Sequence, residues 1–300
     1  PGGRLWFRLA PVKRRHDALL FAGTTSDAYM EEGVTAESVA SQPMPPHLTG
    51  KGDLPRISLV LGAGNVSSIA MTDTLTKIFQ DGSLVLLKMN PVNEYLGPIF
   101  TRALAPLIEE GFLRIIYGGA EAGQHAIAHE STHEVHITGS NLSHDAIVWG
   151  PHGEEHERRK RDNEPLLDKP ITSELGNVTP WIVVPGDYTE KQLQFQAENL
   201  AASVMNNVSF NCLATKVIVT WRDWPQRQRF LDKVETIFAN TPPRKAYYPG
   251  AHERFREFAG KEATGVPEGT LPWTLLRAID PDESPMPVAR ESVVCVTAET

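Results

Sequence analysis

Two thiols are the only soft nucleophiles in this 300-residue chain, Cys212 and Cys295. Cys212 ends the run Asn206-Asn207-Val208-Ser209-Phe210-Asn211-Cys212, which lies between a helical pattern and an apolar strand pattern. An isolated cysteine beside apolar residues is usually buried and inert. A polar, Asn-rich turn entering a strand is a poor place for a packing cysteine and a good place to hold a side chain exposed. Three further positions invite attention. Glu174, in Ile171-Thr172-Ser173-Glu174-Leu175-Gly176, reads alone as one surface carboxylate among many. Asn65, on the Gly62-Ala63-Gly64-Asn65 turn, reads as a residue that tolerates left-handed φ. Thr138-Gly139-Ser140 stands at a strand end before a helix, where a phosphate would be well placed and where a plain helix cap is the simpler account.

A fourth pattern suggests different chemistry. His129-Glu130-Ser131-Thr132-His133 satisfies His-Glu-x-x-His, which on a helix sets two imidazoles on one face as zinc ligands with a carboxylate base between them. The run continues at once into Glu134 to Thr138, β-branched at Val135, Ile137 and Thr138. That leaves under one helical turn after His133 and no evident third ligand.

The elements that must position these residues alternate. Ile57–Leu61, Ser83–Lys88, Leu113–Tyr117 and Glu134–Thr138 are short apolar runs that read as strands. Between them, Leu75, Ile78 and Phe79, then Ile99 to Glu110, then Ala120 to Ala128, carry helical spacing. Residues 151–170, with Arg158-Arg159-Lys160-Arg161-Asp162, read as a solvated loop or an exposed helix. The rhythm resumes with a strand at Trp181–Val184, a helix over Thr189–Asn206, a strand at Thr215–Thr220 and a helix over Gln226–Asn240. Strands alternating with such helices imply an α/β fold with a parallel sheet. Residues 241–300 read as Pro-rich and irregular apart from Val293 to Val296. Residues 1–55 resist assignment, and Gln42-Pro43-Met44-Pro45-Pro46 looks like a linker or surface arm. No internal repeat is visible.

Composition narrows the function classes. At 41% hydrophobic and 22% charged the chain is an ordinary globular sequence. A formal charge of −8 argues against nucleic acid as the principal partner. No run approaches the roughly 18 apolar residues of a membrane span. Two cysteines make neither a disulfide framework nor a Cys-rich zinc site, so a reducing cytoplasm is the expected location. The start, Pro1-Gly2-Gly3-Arg4, has neither an initiator Met nor an apolar signal core, which fits a fragment or a processed form.

Taken together and in order, the motifs form a pattern. Ile137-Thr138-Gly139-Ser140 resembles the Phe-Thr-Gly-Ser signature of the aldehyde dehydrogenase superfamily, and His129-Glu130 with Glu134-Val135-His136 resembles its lead-in. Glu174-Leu175-Gly176 resembles the Glu-Leu-Gly-Gly box. Asn207 to Cys212 is similar to the Asn-x-Gly-Gln-x-Cys nucleophile loop. Gly64-Asn65 stands where the family has its Trp-Asn turn, and Leu86-Leu87-Lys88 where it has a cofactor-contacting lysine. The agreement runs over about residues 57–224.

The resemblance implies a Rossmann-like cofactor domain at 56–176 followed by a smaller α/β catalytic domain at 177–300, incomplete relative to the family, with 1–55 standing apart. It implies an NAD(P)-dependent enzyme that oxidises a small-molecule aldehyde to a carboxylic acid. Cys212 would be the nucleophile, forming a thiohemiacetal and then a thioester. The Asn65 amide and the Cys212 backbone N–H would hold the oxyanion, and Glu174 would activate the hydrolytic water. Lys88, Gly139 and Ser140 fall on NAD or NADP contacts. Glu291 matches more loosely the glutamate that grips the nicotinamide ribose, because Ser292-Val293-Val294 follows where the family has Phe-Gly-Pro. Departures are visible elsewhere: Asn177 and Val178 replace Gly and Lys, Ser209-Phe210 replaces Gly-Gln, and Pro91 replaces an acidic residue that favours NAD. They leave NAD against NADP open. The C-terminal arm that supports oligomers in the family is not visible, so a homo-oligomer stays open too. The alternatives are a CoA-acylating relative, against which the retained Glu174 speaks, a zinc metalloprotease through His129 and His133, and a non-catalytic binding relative.

Overall fold

The computed structural model describes residues 4–12, 16–20, 22–41, 56–277, 279 and 294–299. The chain divides into two compact units, residues 1–54 and 55–300. In the first, β1 (Trp6–Ala10) pairs antiparallel with β2 (Ser26–Tyr29). Two short helices accompany the hairpin, α1 (Asp17–Leu20) and α2 (Ala36–Ala40), the second opened by a Thr35–Ser38 capping box. This hairpin sits in the segment the sequence pattern left unassigned. The Pro-rich run at 42–46 lies outside the described residues.

The second unit begins with five parallel strands: β3 (Ile57–Leu61), β4 (Leu84–Lys88), β5 (Leu113–Ile116), β6 (Glu134–Gly139) and β7 (Ile171–Leu175). Their order in the sheet is β5-β4-β3-β6-β7. The chain winds outward one way from β3 and then returns to its other side, so a crevice opens between the carboxyl ends of β3 and β6. Central strands of such a sheet are covered on both faces, and Leu59 and Val60 are accordingly fully buried. The covering helices are α3 (Ile69–Phe79), α4 (Gly97–Ala103), α5 (Ala105–Glu109), α6 (Ala120–Ala128) and α7 (Asn141–Trp149), while α8 (Glu154–Asp162) packs on α7.

Two expectations need correction here. The single helix over Ile99–Glu110 is broken at Leu104, because Pro106 has no N–H to offer the preceding turn. On α3 Ile78 is buried but Phe79, the last residue of the helix, is 62% exposed. The charged stretch is α8, an exposed helix with Glu154, Glu155 and Glu157 in its first turn and basic residues in its last, matching the helix dipole. Its buried His156 hydrogen-bonds the Gly150 carbonyl oxygen, and Lys160 Nζ reaches Asp145 of α7 at 2.6 Å.

A second parallel sheet follows, in the order β10-β11-β9-β8, from β8 (Pro180–Val183), β9 (Val217–Thr220), β10 (Thr274–Leu276) and β11 (Val294–Glu299). Helix α9 (Glu190–Met205) presents Leu193, Ala197, Leu200, Ala201 and Val204 to the core, the spacing of one helical face. α10 (Arg227–Asn240) adds Phe230, Leu231, Val234 and Phe238. The region 241–300 is less irregular than its composition implied, for α11 (Ala251–Ala259) buries Ala251, Phe255 and Phe258 against the same core. Among the described residues no helix is long and apolar enough to cross a membrane.

Candidate active site

The expected site residues inside the described part of the second unit lie at carboxyl strand ends or in the loop that enters β9. Asn65 follows β3, Lys88 closes β4, Thr138 and Gly139 close β6, and Glu174 stands one residue before the end of β7. Parallel pairing brings these ends to one edge of the sheet, with Thr138 the register partner of Glu174.

Cys212 arrives from the other sheet. Helix α9 ends at Met205, and Asn207, Val208 and Ser209 then take left-handed conformations, with φ of 48°, 57° and 65°. Non-glycine residues rarely adopt this region, and a β-branched valine does so with most strain. The Ser209 position is where the family loop carries glycine. Serine is held there because its Oγ and its carbonyl oxygen both accept from Lys216 Nζ, the latter at 2.6 Å, with Lys216 fully buried. Beyond the turn, Asn211 Oδ1 accepts from the N–H groups of Leu213 (2.9 Å) and Ala214 (2.6 Å), and the Thr179 hydroxyl donates to the Cys212 carbonyl oxygen. Cys212 is left half-buried, at a cleft wall.

The Asn65 turn is tied to this loop by side chains. Asn207 Nδ2 and Tyr247 Oη each donate to the Asn65 carbonyl oxygen at 2.7 Å, while Asn93 Nδ2 donates to that of Ala63 at 3.2 Å. Gly64 lets the Asn90 side chain lie close to the turn, since a Cβ there would stand 2.6 Å from Asn90 Oδ1 and displace it. Asn65, Glu174 and Cys212 thereby line one narrow cleft of about 50 Å³, together with Thr138, Gly139 and Tyr248.

A second, larger cleft of about 670 Å³ adjoins it and shares Thr138, Gly139 and Tyr248. Lys88 and Ser140 line it. Burial pushes the Lys88 ammonium below its ordinary pKa of 10.5, and the Glu94 carboxylate only partly opposes this. Ser140 caps α7, its Oγ accepting from the Leu142 N–H at 3.1 Å. Glu291 lies outside the described residues. The structure therefore brings six of the seven expected site residues to two adjoining clefts.

His129 and His133 do not share a helical face. α6 stops at Ala128, His129 is already extended with ψ of 134°, and His133 Nδ1 accepts from the Ile57 N–H at 3.1 Å. The β-branched residues that follow favour the strand over another helical turn, so the zinc-protease geometry is not formed.

Sequence reasoning missed Tyr247, Tyr248, Lys216 and Asn93. Tyr248 stacks on Phe210, with ring centroids 5.9 Å apart, and lines both clefts. The adjacent pair Tyr247-Tyr248 in a weakly patterned region was the one signal available.

No family model matches the sequence, and no curated protein matches it. Solved structures do. A lactaldehyde dehydrogenase from Escherichia coli superposes with a TM-score of 0.60 at 16% identity over 82% of this chain and 53% of that one. An aldehyde dehydrogenase from Mycobacterium tuberculosis, complexed with NAD+, gives 0.59 at 18% identity over 81% and 52%. A glyceraldehyde-3-phosphate dehydrogenase from Methanocaldococcus jannaschii, complexed with NADP, gives 0.61 at 12% identity over 81% and 54%. The chain thus spans about half the length of the structures it matches. The resemblance read from the motifs is met at the level of the fold: this chain has the fold of the aldehyde dehydrogenases.

Proposed function

We propose that this chain carries the cofactor-binding and nucleophile-bearing parts of an NAD(P)-dependent aldehyde dehydrogenase, residues 56–176 serving the first role and 177–300 the second. The observation that carries the reading is the meeting of Cys212, Asn65 and Glu174, from three distant segments, in one cleft beside a larger one lined by Lys88 and Ser140. The larger cleft suits a dinucleotide. It falls within the usual 300–1,000 Å³ range of ligand pockets, contains a buried cation, and meets the N-terminus of α7, where N–H groups favour a phosphate. Lys88, Gly139 and Ser140 would hold it. The structures it resembles include one with NAD+ and one with NADP.

The chain's own residues then divide the work. Cys212 Sγ adds to the aldehyde carbonyl, and the Asn65 amide with the Cys212 N–H stabilises the developing oxyanion. Each such donor is worth roughly 3 kcal/mol. The chemistry that a nicotinamide dinucleotide supplies when bound is acceptance of hydride, after which Cys212 carries a thioester. Glu174 takes a proton from the water that hydrolyses it. A small-molecule aldehyde and a reducing, cytoplasmic setting complete the proposal.

The test is an aldehyde panel with each nicotinamide cofactor. Reduced cofactor should form with the unmodified chain and fall below detection in Cys212→Ala. Glu174→Gln should keep a fast first turnover and lose steady turnover. Equal loss of the first turnover in both variants would contradict this division of roles, and reduced-cofactor formation only in the presence of CoA would favour the acylating relative.

A further inference from the structure

A water poised to attack a thioester has two hydrogens to place, and Glu174 accounts for one. The face of β6 beneath α3 is polar along its length. Glu134, His136 and Thr138 recur at every second residue, and α3 meets them with Lys77, whose Nζ lies 3.2 Å from Glu134, and with Asp73. At the cleft end, Thr138 Oγ1 donates to Asp73 Oδ2 at 2.9 Å. His136 Nε2 lies 3.5 Å from the same carboxylate oxygen and 3.3 Å from Thr138 Oγ1, and its Nδ1 stands 2.8 Å from Thr172 Oγ1 of β7. Thr138 is buried, and the Asp73 side chain is only 15% exposed.

An ionised carboxylate has acceptors only, so the Thr138 hydroxyl hydrogen is committed to Asp73. The oxygen keeps two lone pairs, one of them free even if His136 takes the other. Thr138 lines the Cys212 cleft with Glu174. The two are register partners on adjacent parallel strands, which sets their side chains on one face.

Resting on the reading of Glu174 as base, the geometry points to Thr138 as the second acceptor for the hydrolytic water, with Asp73 as the positioning residue that fixes its polarity. The water donates one hydrogen to the Glu174 carboxylate and the other to Thr138 Oγ1, which aims an oxygen lone pair at the thioester carbon. As the O–C bond forms, Glu174 takes the first proton. The tetrahedral intermediate collapses by C–S cleavage to the carboxylic acid and the Cys212 thiolate, and Glu174 returns its proton to solvent. In Asp73→Asn the new amide can donate to Thr138 Oγ1. The hydroxyl hydrogen is then free to face the cleft, where it presents the wrong polarity to the water.

The experiment is stopped-flow recording of reduced-cofactor formation on the full chain, with Thr138→Val, Thr138→Ser and Asp73→Asn beside Glu174→Gln. Thr138→Val and Asp73→Asn should keep the burst within about twofold and lose steady turnover about tenfold, the worth of one hydrogen bond. Thr138→Ser should restore turnover. Hydroxylamine, which attacks a thioester without a base, should rescue both slow variants, a response that a merely structural defect would not give. Undiminished turnover in Thr138→Val, or equal loss of burst and turnover, overturns the inference while Glu174→Gln still bursts. Absence of a burst in Glu174→Gln overturns the underlying reading instead.

Discussion

Lys88 is an ammonium placed where water has been largely removed, and the structure supports this at a cost. Burial disfavours its charged form, which is why its pKa falls below 10.5. The sign of the pH effect follows. Between the lowered folded value and 10.5 the unfolded chain binds more protons than the folded one, so the stability of the free protein rises with pH across that window. Under the proposed function, dinucleotide binding runs the other way, because an ammonium placed to attract phosphate is lost. The dissociation constant for NAD(P)+ should therefore be flat near neutrality and rise on an alkaline limb with a midpoint below 10.5, measured by fluorescence titration. Lys88→Met should bind more weakly and lose the limb. A limb unchanged in Lys88→Met would assign it to another group. At this scale the chemistry was partly legible. Cys212, Asn65, Glu174 and Lys88 were legible through the order and spacing of the motifs, since each taken singly had a plain structural reading. Tyr247, Asn93 and Lys216 were not, because their roles depend on which distant carbonyl group the fold brings near: Tyr247 bonds the backbone of Asn65, 182 positions away.

At the scale of elements, the loop from Asn206 to Ala214 determines whether Cys212 is presented at all. Its left-handed run costs backbone energy, roughly 1–2 kcal/mol per residue, and the buried Lys216 offsets part of that through Ser209. A hydrogen bond to a charged partner is worth about 1.5–3 kcal/mol. Ser209→Ala keeps the strained φ and removes one acceptor, so it should destabilise by about 2 kcal/mol. Ser209→Gly removes the same acceptor but relaxes the backbone, so about 1 kcal/mol is expected. Urea unfolding of the two variants checks the order, and a glycine variant less stable than the alanine variant would contradict the account of strain. Two of the misread elements turn on proline. Pro106 broke a helix whose apolar spacing ran on through it. In α11 the apolar face was present, Ala251, Phe255 and Phe258 standing four and then three apart. It was obscured by the prolines around it.

At the scale of the whole molecule, two parallel sheets in one compact unit bring Cys212 from the second sheet's side beside Glu174 of the first. The α/β alternation made that architecture legible, since a 3.6-residue period alternating with apolar runs leaves few other solutions. The N-terminal hairpin was not legible, because its exposed Trp6, Phe7 and Leu9 carry no inward-outward alternation. Residues 55–300 cohere as a unit by themselves, so a chain lacking residues 1–54 should keep its circular dichroism and unfold within a few degrees of the longer form. A non-cooperative transition would show that the second unit needs the first.

The most direct test of the central claim is to trap the acyl group. Glu174→Gln, incubated with an aldehyde and NAD(P)+, should gain the mass of one acyl group, located by peptide mass spectrometry on Cys212 and removed by hydroxylamine. A Glu174→Gln chain that turns over its cofactor while Cys212 remains unmodified, or that carries the acyl group on another residue, would contradict the account.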